Sequence, residues 1–169
     1  MLQSCQFFYV PIIMTTTPPV HLLPFLTHTG SLTALLERLA GQALTVSVLS
    51  ERCRPLTFAE KKQLGLIVSR PILAWERQVL LFGSDKEAWV QANSIFPLST
   101  LIGQGKRFKH LKRTPIGYLL FKKVGTKTKV REFFYNGSNF GRSTVYEYQE
   151  KPLLIQEIFL QALSDKIGE

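Results

Sequence analysis

The sequence predicts an α+β domain in which a single antiparallel sheet of about six strands carries its helices on one face. Six segments have the β-branched, alternating character of strands, and short turn signals join several neighbouring strands as hairpins. Helical segments occur between some strands without the regular alternation that a parallel sheet requires. The chain has 169 residues, of which 45% are hydrophobic and 20% charged, so it can form one domain with a sizeable core.

The first 17 residues are predicted to be a poorly ordered or misassigned tail, and residues 18–169 are predicted to form the domain. The apolar run FFYVPIIM has no Lys or Arg before it, which distinguishes it from a secretory signal. It is also too short to cross a bilayer, which takes about 20 residues. Met14, followed by TTTPP, is an alternative start.

Four segments precede the first predicted hairpin. PPVHLLPFL predicts a short helix or an extended segment broken at Pro24. SLTALLERLA predicts a helix, because Ser31 suits the N-cap, Gly41 suits the C-cap and leucines recur at helical spacing. ALTVSVLSE then predicts the first strand, and TFAEKKQLGL predicts a helical turn or a loop.

Two hairpins are predicted farther along the chain. LAWERQVLLFG and AWVQANSIFPL form the first, and Gly83, Ser84 and Asp85 are typical of its turn. STVYEYQ and PLLIQEIFL form the second, with the polar pair Glu150-Lys151 as the turn between them.

Three segments lie between these hairpins. STLIGQGKRFKHLKR is a helix candidate, although Gly103 and Gly105 disfavour a single continuous helix. TPIGYLLFKK predicts a short helix with Pro115 in its first turn. TKVREFFYNG predicts a strand that ends at a turn.

Two charged residues stand on strand faces that are otherwise apolar. Alternation places Arg77 among Leu, Trp and Val, and places Glu157 among Leu, Ile and Phe. A charge that faces a core is costly unless something pairs with it, so the two residues predict a small dry site for an anionic ligand. Two alternatives stay open. In the first, Arg77 and Glu157 form an ion pair that only supports the fold; in the second, one of the two strand faces is exposed to solvent.

The chain is basic, with a net charge of +9 and ten Lys and Arg but no Asp or Glu from Lys106 to Arg131. Such a patch attracts nucleic acid, an acidic membrane surface or an anionic metabolite, or it is simply a solvated face. No nucleic-acid-binding motif accompanies it, so we expect no specific nucleic-acid partner.

Metal and cofactor motifs are not found in the sequence. The histidines at 21, 28 and 110 are scattered, and Cys5 and Cys53 lack the spacing of metal ligands or of a disulfide framework. There is no glycine-rich phosphate loop or dinucleotide fingerprint. We therefore expect neither a metal nor a cofactor, and the few cysteines suit a reducing, cytoplasmic setting.

Five blocks of the sequence together carry a family resemblance. They are SLTALLERLAGQALTVSVLSE, AWERQVLLFG, AWVQANSIFPLSTL, TPIGYLLF and FGRSTVYEYQEKPLLIQEIFLQAL. In this order and spacing they resemble the chorismate pyruvate-lyase family, over residues 18–163. The resemblance implies a bacterial cytoplasmic lyase that removes pyruvate from chorismate and forms 4-hydroxybenzoate, the first committed step of ubiquinone biosynthesis. It also implies a ligand buried beneath helical flaps and no cofactor, and we expect a monomer.

The resemblance also implies four site residues. The family's substrate-contacting Arg falls on Arg77, and its Glu on the last strand falls on Glu157, so both are candidate catalytic and substrate-binding residues. A main-chain contact from the family's T-P-L-G block falls on Ile116. A further contact inside the early helix, usually made by Met, falls on Leu32.

Two more residues are additional candidates for the site. Arg142, in FGRS, matches a basic position of the family, and Asn93 stands where the family often has Arg. The alternative function is a non-catalytic domain that binds a small effector molecule on the same fold, as in some bacterial transcription regulators. The presence of both Arg77 and Glu157 favours the enzyme.

Overall fold

The structure, a computed structural model, describes residues 16–122 and 126–168. Of the predicted tail, residues 1–15 lie outside this described part of the chain. The described residues form an antiparallel sheet with helices packed against it, which confirms the predicted α+β fold. None of their helices is both long enough and apolar enough to span a lipid bilayer.

Six strands form one antiparallel sheet, as the alternating segments predict. They are β1 (Thr45–Pro55), β2 (Leu73–Phe82), β3 (Ala88–Pro97), β4 (Thr126–Tyr135), β5 (Phe140–Tyr148) and β6 (Lys151–Phe159). Their order across the sheet is β1-β2-β3-β6-β5-β4. The hairpins β2–β3 and β5–β6 are thus joined at the centre by the β3–β6 pair, so only β3 separates the strand of Arg77 from that of Glu157.

Short helices precede, connect and follow the strands. The α-helices of the described residues are α1 (Leu23–Thr27), α2 (Leu32–Ala40), α3 (Phe58–Gln63), α4 (Gly117–Leu120) and α5 (Gln161–Gly168). The 3-10 helices are Val20–Leu22, Leu98–Leu101 and Gly103–His110. Helix α5 was not predicted from the sequence.

The segment STLIGQGKRFKHLKR forms two 3-10 helices instead of one α-helix. Gly103 has a φ of 65°, a left-handed conformation that interrupts the first turn. At Gly105 a Cβ atom would lie 1.9 Å from the carbonyl oxygen of Thr100, so the chain approaches itself too closely for any larger residue. The two glycines therefore end one short helix and begin the next.

Helix α2 begins and ends where its capping residues predict. The Ser31 hydroxyl accepts a hydrogen bond from the Ala34 amide at 3.3 Å, and Gly41 has the left-handed φ of 67° typical of a C-cap. Leu32 and Leu36 are buried against the sheet. The apolar side of α2 thus fixes its first turn above one face of the sheet.

One face of the sheet, called here the helix-covered face, carries two apolar clusters. The first is formed with α1, α2 and α5, and its buried members include Phe25, Leu26, Leu32, Leu36, Val79, Leu81, Val90, Phe159 and Leu163. The second is formed with the two later 3-10 helices and α4, and includes Phe96, Leu101, Phe108, Leu111, Leu120, Tyr146, Tyr148, Leu153 and Ile155. Burial of these apolar side chains is the main force that holds the helices on the sheet.

Helix α3 covers part of the opposite face, which differs from the prediction that the helices all lie on one face. Its N-terminus has a complete capping box, in which the Thr57 hydroxyl accepts from the Glu60 amide and the Glu60 carboxylate accepts from the Thr57 amide. Leu56 and Leu64 pack with Leu154 in a third, smaller apolar cluster. The sequence predicts either a helical turn or a loop for this segment, and the structure shows a short helix that begins at the capping box.

Glu76 is buried on the opposite face and is held by a network of hydrogen bonds. Arg52 and Arg54 each donate to its carboxylate at 2.7 Å, and the Asn93 amide donates at 3.2 Å. Burial by itself raises the pKa of Glu76, but the hydrogen bonds from Arg54 and Arg52 outweigh it and lower the pKa from 4.5 to about 2. The carboxylate therefore stays ionised in the folded protein well below its ordinary titration range.

Replacing Glu76 with Gln is expected to lower the free energy of unfolding at neutral pH by about 2–3 kcal/mol. The folded-state pKa lies below the unfolded value, so Glu76 stabilises the fold above pH 4.5 and loses this effect as the pH falls toward 2. Urea unfolding of the variant should therefore show a shallower loss of stability across that range. Glu87→Gln, at an exposed position, is the matched control and should unfold like the wild type. Equal pH profiles for the wild type and Glu76→Gln would contradict the network's role.

Candidate active site

A buried strip of polar side chains separates the two apolar clusters on the helix-covered face. Opposed residues in the sheet share a face, and one row contains Arg77, Ser94 and Thr144 while the adjacent row contains Glu157 and Arg142. All five side chains are buried. We call these five residues the polar strip. Polar groups enclosed by apolar walls are typical of a small-molecule site.

Arg77 and Glu157 lie on the same face of the sheet but do not contact one another. They are two strands apart and two residues out of register, since Arg77 is opposite Ser94, which is opposite Ile155. Strand spacing and residue rise place their Cα atoms roughly 12 Å apart. A six-membered ring with a polar group at each end fits between two such side chains, whereas a direct ion pair does not form.

Arg77 is 1% exposed and forms an ion pair with Glu51 on the neighbouring strand. Its Nε donates to Glu51 Oε1 at 3.1 Å. Burial lowers the pKa of Arg77 and Glu51 opposes that shift, but an arginine remains charged at physiological pH. The hydrogen bonds of Arg77 to the described residues use Nε and Nη2, and none uses Nη1.

The Arg77 guanidinium also joins the sheet to the segment that covers it. Its Nη2 donates to the carbonyl oxygens of Lys112 at 2.6 Å and Thr114 at 3.4 Å. Lys112 has a φ of 49°, which few residues other than glycine adopt, and this turn leads the chain to Ile116 and α4. Arg77 therefore positions the cover of the site as well as facing it.

Glu157 pairs with Arg142, which is opposite it on β5. The Nε of Arg142 donates to Glu157 Oε2 at 2.5 Å, and the arginine is fully buried. This contact uses only one carboxylate oxygen of Glu157, so Oε1 remains able to accept a hydrogen bond from a ligand.

Arg142 also holds the C-terminal end of α1. Its Nη1 donates to the carbonyl oxygens of Phe25, Leu26 and His28 at 2.8, 3.3 and 2.9 Å. These carbonyls have no partner inside the helix, and a cation there is favoured by the helix dipole. The remaining nitrogen, Nη2, is buried without a hydrogen-bond partner in the described part of the chain. A buried donor of this kind is costly unless a ligand or water accepts from it.

Burial, together with nearby charges, shifts the pKa values of two neighbours of the strip. Burial and then Glu157 raise the pKa of Tyr146, against the opposing effect of Arg142, so the phenol is neutral at physiological pH. Burial, followed by Arg142 and Arg131, lowers the pKa of His28, so its imidazole is also neutral. The charged groups around the strip are therefore arginines with their carboxylate partners, and the free donors suit an anion.

The other two predicted contacts are Leu32, in α2, and Ile116, at the start of α4, and these two helices pack against each other. Leu32 is buried in the first apolar cluster, and Ile116 packs against the second. Between them, a Cβ atom on Gly117 would lie 2.4 Å from the Thr33 hydroxyl, so the helices meet at a distance only glycine permits. The predicted Leu32 and Ile116 contacts thus lie on the two sides of one helix–helix junction.

The structure separates the remaining candidate, Asn93, from the strip. Asn93 precedes Ser94 on β3 and faces the opposite side of the sheet. Its amide nitrogen donates to Glu76 at 3.2 Å and to Gln156 at 3.4 Å. The structure therefore corrects the prediction that the Asn93 side chain is an additional substrate contact, because strand alternation turns this side chain away from Arg77.

Replacing Asn93 with Ala is expected to leave kcat/KM for the substrate within about threefold of the wild type, because its contacts lie across the sheet. The loss of its buried hydrogen bonds should lower the free energy of unfolding by about 1 kcal/mol. Steady-state kinetics and urea unfolding on the same preparation separate the two effects. A rise in KM of tenfold or more with unchanged stability would contradict this placement.

Both structural alternatives for Arg77 and Glu157 are wrong. The ion pairs are Arg77–Glu51 and Arg142–Glu157, not Arg77–Glu157. Neither face is the solvent side, because Arg77 is 1% and Glu157 8% exposed. Glu51 was missed because a β-bulge between Val48 and Ser50 shifts the register of β1 in a way that alternation cannot reveal.

The fold and the strip define a class of protein, an α+β domain in which helices cover one face of a single antiparallel sheet and enclose a buried strip of polar side chains. The effector domain of PhnF from Mycobacterium smegmatis has the same fold, with a TM-score of 0.55 and 13% identity over 79% of this chain and 90% of that chain. Within the described residues, no group of three or more His, Cys, Asp and Glu could hold a metal ion.

Sequence comparison identifies the family within this class. The profile described as chorismate lyase matches residues 11–168. A probable chorismate pyruvate-lyase from Psychrobacter cryohalolentis is 44% identical over 161 residues, which is 94% of this chain and 96% of the relative. Another from Psychrobacter arcticus is 47% identical over 154 residues, 89% and 92% of the two chains. The chain belongs to the chorismate lyase family.

Proposed function

We propose that this protein removes pyruvate from chorismate and forms 4-hydroxybenzoate, the first committed step of ubiquinone biosynthesis. The observation that carries the proposal is the polar strip, in which the buried Arg77 and Glu157 share one helix-covered face without pairing with each other. Chorismate is a six-membered cyclohexadiene ring that bears a carboxylate, a hydroxyl and an enolpyruvyl ether with a second carboxylate. A site with buried cations, one free carboxylate oxygen and apolar walls is complementary to it.

Arg77 is the group best placed to bind the ring carboxylate. A guanidinium can donate two parallel hydrogen bonds to a carboxylate, and the hydrogen bonds of Arg77 to the described residues do not use Nη1. The buried Nη2 of Arg142 is a second free donor on the same face. Two donors from two arginines match the two carboxylates of the substrate, and the main chain near Leu32 and Ile116 orients the ring from the covering helices.

The reaction needs no group that the chain lacks. The bond between the ether oxygen and its ring carbon breaks, its electron pair leaves with enolpyruvate, and hydrogen is lost from the neighbouring carbon that bears the hydroxyl. The ring becomes aromatic, and enolpyruvate gains hydrogen at carbon to become pyruvate, so the two products together contain all the atoms of chorismate. The protein's contribution is positioning and charge placement in a dry site. Glu157 Oε1 accepts a hydrogen bond from the ring hydroxyl and fixes the ring at the end opposite Arg77.

The decisive experiment is incubation of the purified protein with chorismate in the presence of a chelator and without added cofactor. Pyruvate and 4-hydroxybenzoate should appear in equal amounts and at a rate proportional to enzyme concentration. Binding of chorismate without turnover would instead support an effector-binding domain, the second candidate, which is favoured by the fold that this chain has in common with the PhnF effector domain.

The segment Lys106–Arg113 is proposed to attract the dianionic substrate toward the site. Lys106, Arg107 and Lys109 project from a 3-10 helix whose continuation places the Lys112 carbonyl on Arg77. Electrostatic attraction by such a segment should make kcat/KM fall as ionic strength rises, because the Debye length shrinks from about 10 Å at 0.1 M to about 3 Å at 1 M. Stopped-flow measurement over this salt range checks the effect, and a flat profile would rule out steering.

We also propose that the protein works as a monomer in the cytoplasm. The two ion pairs of the strip, Arg77–Glu51 and Arg142–Glu157, each join neighbouring strands of one sheet, which supports a site that is complete within one chain. Sedimentation velocity at micromolar concentration should give a single species of 19.2 kDa. A stable dimer would contradict this part of the proposal.

A further inference from the structure

We propose that the protein binds anionic lipid surfaces through an apolar and cationic patch formed by α3 and the segment that follows it. The patch consists of Phe58, Lys61, Lys62, Ile67, Val68 and Arg70. It lies outside the predicted basic region between Lys106 and Arg131, and it goes beyond the lyase reaction.

The patch exposes large apolar side chains that the fold leaves uncovered. Phe58 is 75% exposed, Ile67 77% and Val68 42%. Phe58 begins α3, while Ile67 and Val68 follow the helix, and a depression of about 180 Å³ lies between them. Isolated exposed apolar residues are common, but a contiguous group surrounded by polar residues marks a binding surface.

The two halves of the patch are held together as one surface. The Lys61 ammonium donates to the carbonyl oxygens of Val68 at 2.9 Å and Arg70 at 3.5 Å, so it fastens the segment after the helix onto the helix. Lys61 and Lys62 are three and four residues beyond Phe58, which places them on the same side of α3. The apolar side chains and the cations therefore face outward together.

The charge of the patch identifies the chemistry of its partner. Glu60 is the only carboxylate in residues 58–73, and it is buried in the capping box and paired with Arg54. Beside the patch, the Glu132 carboxylate on β4 accepts a hydrogen bond from the Gln63 amide at 2.8 Å. The outward charges of the patch are thus Lys61, Lys62 and Arg70, all positive. A second copy of the chain would place these cations against their own equivalents, which disfavours self-association. An anionic lipid surface accepts apolar side chains at the acyl boundary and cations at the headgroups.

The position of the patch allows binding without blocking the proposed active site. Leu56 and Leu64, on either side of α3, pack on the face of the sheet opposite the polar strip. The helical cover of the strip therefore remains free when α3 rests on a membrane surface. Variants of the patch should accordingly retain the turnover of the wild type.

The test is cosedimentation of the full chain with vesicles of phosphatidylglycerol and phosphatidylethanolamine, compared with vesicles of phosphatidylcholine. Wild-type protein should bind the anionic vesicles, and added salt should weaken the binding. The double variant Phe58→Ser, Ile67→Ser should bind at least about tenfold more weakly. Val20→Ser, which removes an apolar side chain 81% exposed elsewhere, is the matched control and should bind like the wild type.

A second pair of variants separates this patch from the other basic region. Lys62→Gln should weaken vesicle binding about fivefold, whereas Lys106→Gln should leave it nearly unchanged. Circular dichroism checks that each variant is folded. Three results would overturn the proposal: no binding of the wild type to anionic vesicles, equal binding of the double variant, or a dimer that the double variant abolishes.

Discussion

Arg77→Ala is expected to lower kcat/KM for chorismate by about 100- to 1000-fold, the largest effect of any single substitution considered for the polar strip. The variant loses a buried charge-assisted contact to the ring carboxylate, and no other described guanidinium stands at that end of the strip. It also loses the hydrogen bonds to Lys112 and Thr114, so the covering segment is less well positioned. The measurement is steady-state kinetics with pyruvate detection, together with a melting curve for each variant.

The control for this substitution is Arg54→Ala. Arg54 also pairs with carboxylates, Glu60 and Glu76, but it lies on the side of the sheet away from the strip. Its replacement should lower the melting temperature and leave the kcat/KM of the folded protein unchanged. If Arg77→Ala had the turnover of the wild type, or if Arg54→Ala lost as much activity, the role given to Arg77 would be wrong.

Glu157→Gln is expected to reduce both stability and activity, because it leaves the charge of Arg142 buried without its partner. Removing one partner of a buried ion pair costs about 3–5 kcal/mol, and the 2.5 Å contact between Arg142 and Glu157 is of this kind. Activity should fall by about 100-fold or more, since the ring hydroxyl loses a charged acceptor. Urea unfolding and single-turnover kinetics measure the two losses separately.

A double variant distinguishes the structural role of this pair from its role in the reaction. Glu157→Leu with Arg142→Met replaces the ion pair by apolar groups of similar volume, which often restores stability. The double variant should therefore be more stable than Glu157→Gln, though less stable than the wild type because Met cannot hold the carbonyl oxygens at the end of α1, and it should remain inactive. Recovery of activity along with stability would mean that Glu157 and Arg142 only support the fold.

The strands and the faces of the two charged residues could be predicted from local pattern. Six alternating segments correspond to the six strands, and a period of two places Arg77 and Glu157 on the inner face of their strands. The pairing of β3 with β6 could not be predicted in this way, because the order of strands depends on contacts between distant segments.

The position of one turn decides which residue lies opposite Glu157. The turn between β5 and β6 occupies Gln149 and Glu150, both with positive φ, so Arg142 lies opposite Glu157. A turn placed one residue later, at Glu150-Lys151, would put Thr144 opposite Glu157 instead. Neither turn residue is glycine or asparagine, so the sequence lacks the usual signal for this turn type.

The irregular parts of the chain were also beyond local pattern. Two glycines divide the segment after β3. A Cβ atom on Gly105 would lie 1.9 Å from the carbonyl oxygen of Thr100, and this close approach exists only in the folded chain. Asn93 was predicted in the site from the family resemblance. Which residue of β3 lies opposite Arg77 depends on the register of the hairpin, and the bulge between Leu81 and Phe82 shifts that register. Helical propensity alone did not reveal α5, whose buried Leu163 is fixed by the first apolar cluster.

A crystal structure with bound 4-hydroxybenzoate would test the central claim most directly. We expect the ring to lie between the two apolar clusters, with its carboxylate within hydrogen-bond distance of the Arg77 guanidinium and its hydroxyl on Oε1 of Glu157. A ring bound on the opposite face of the sheet, or one that touches neither side chain, would contradict the assignment of the polar strip as the active site.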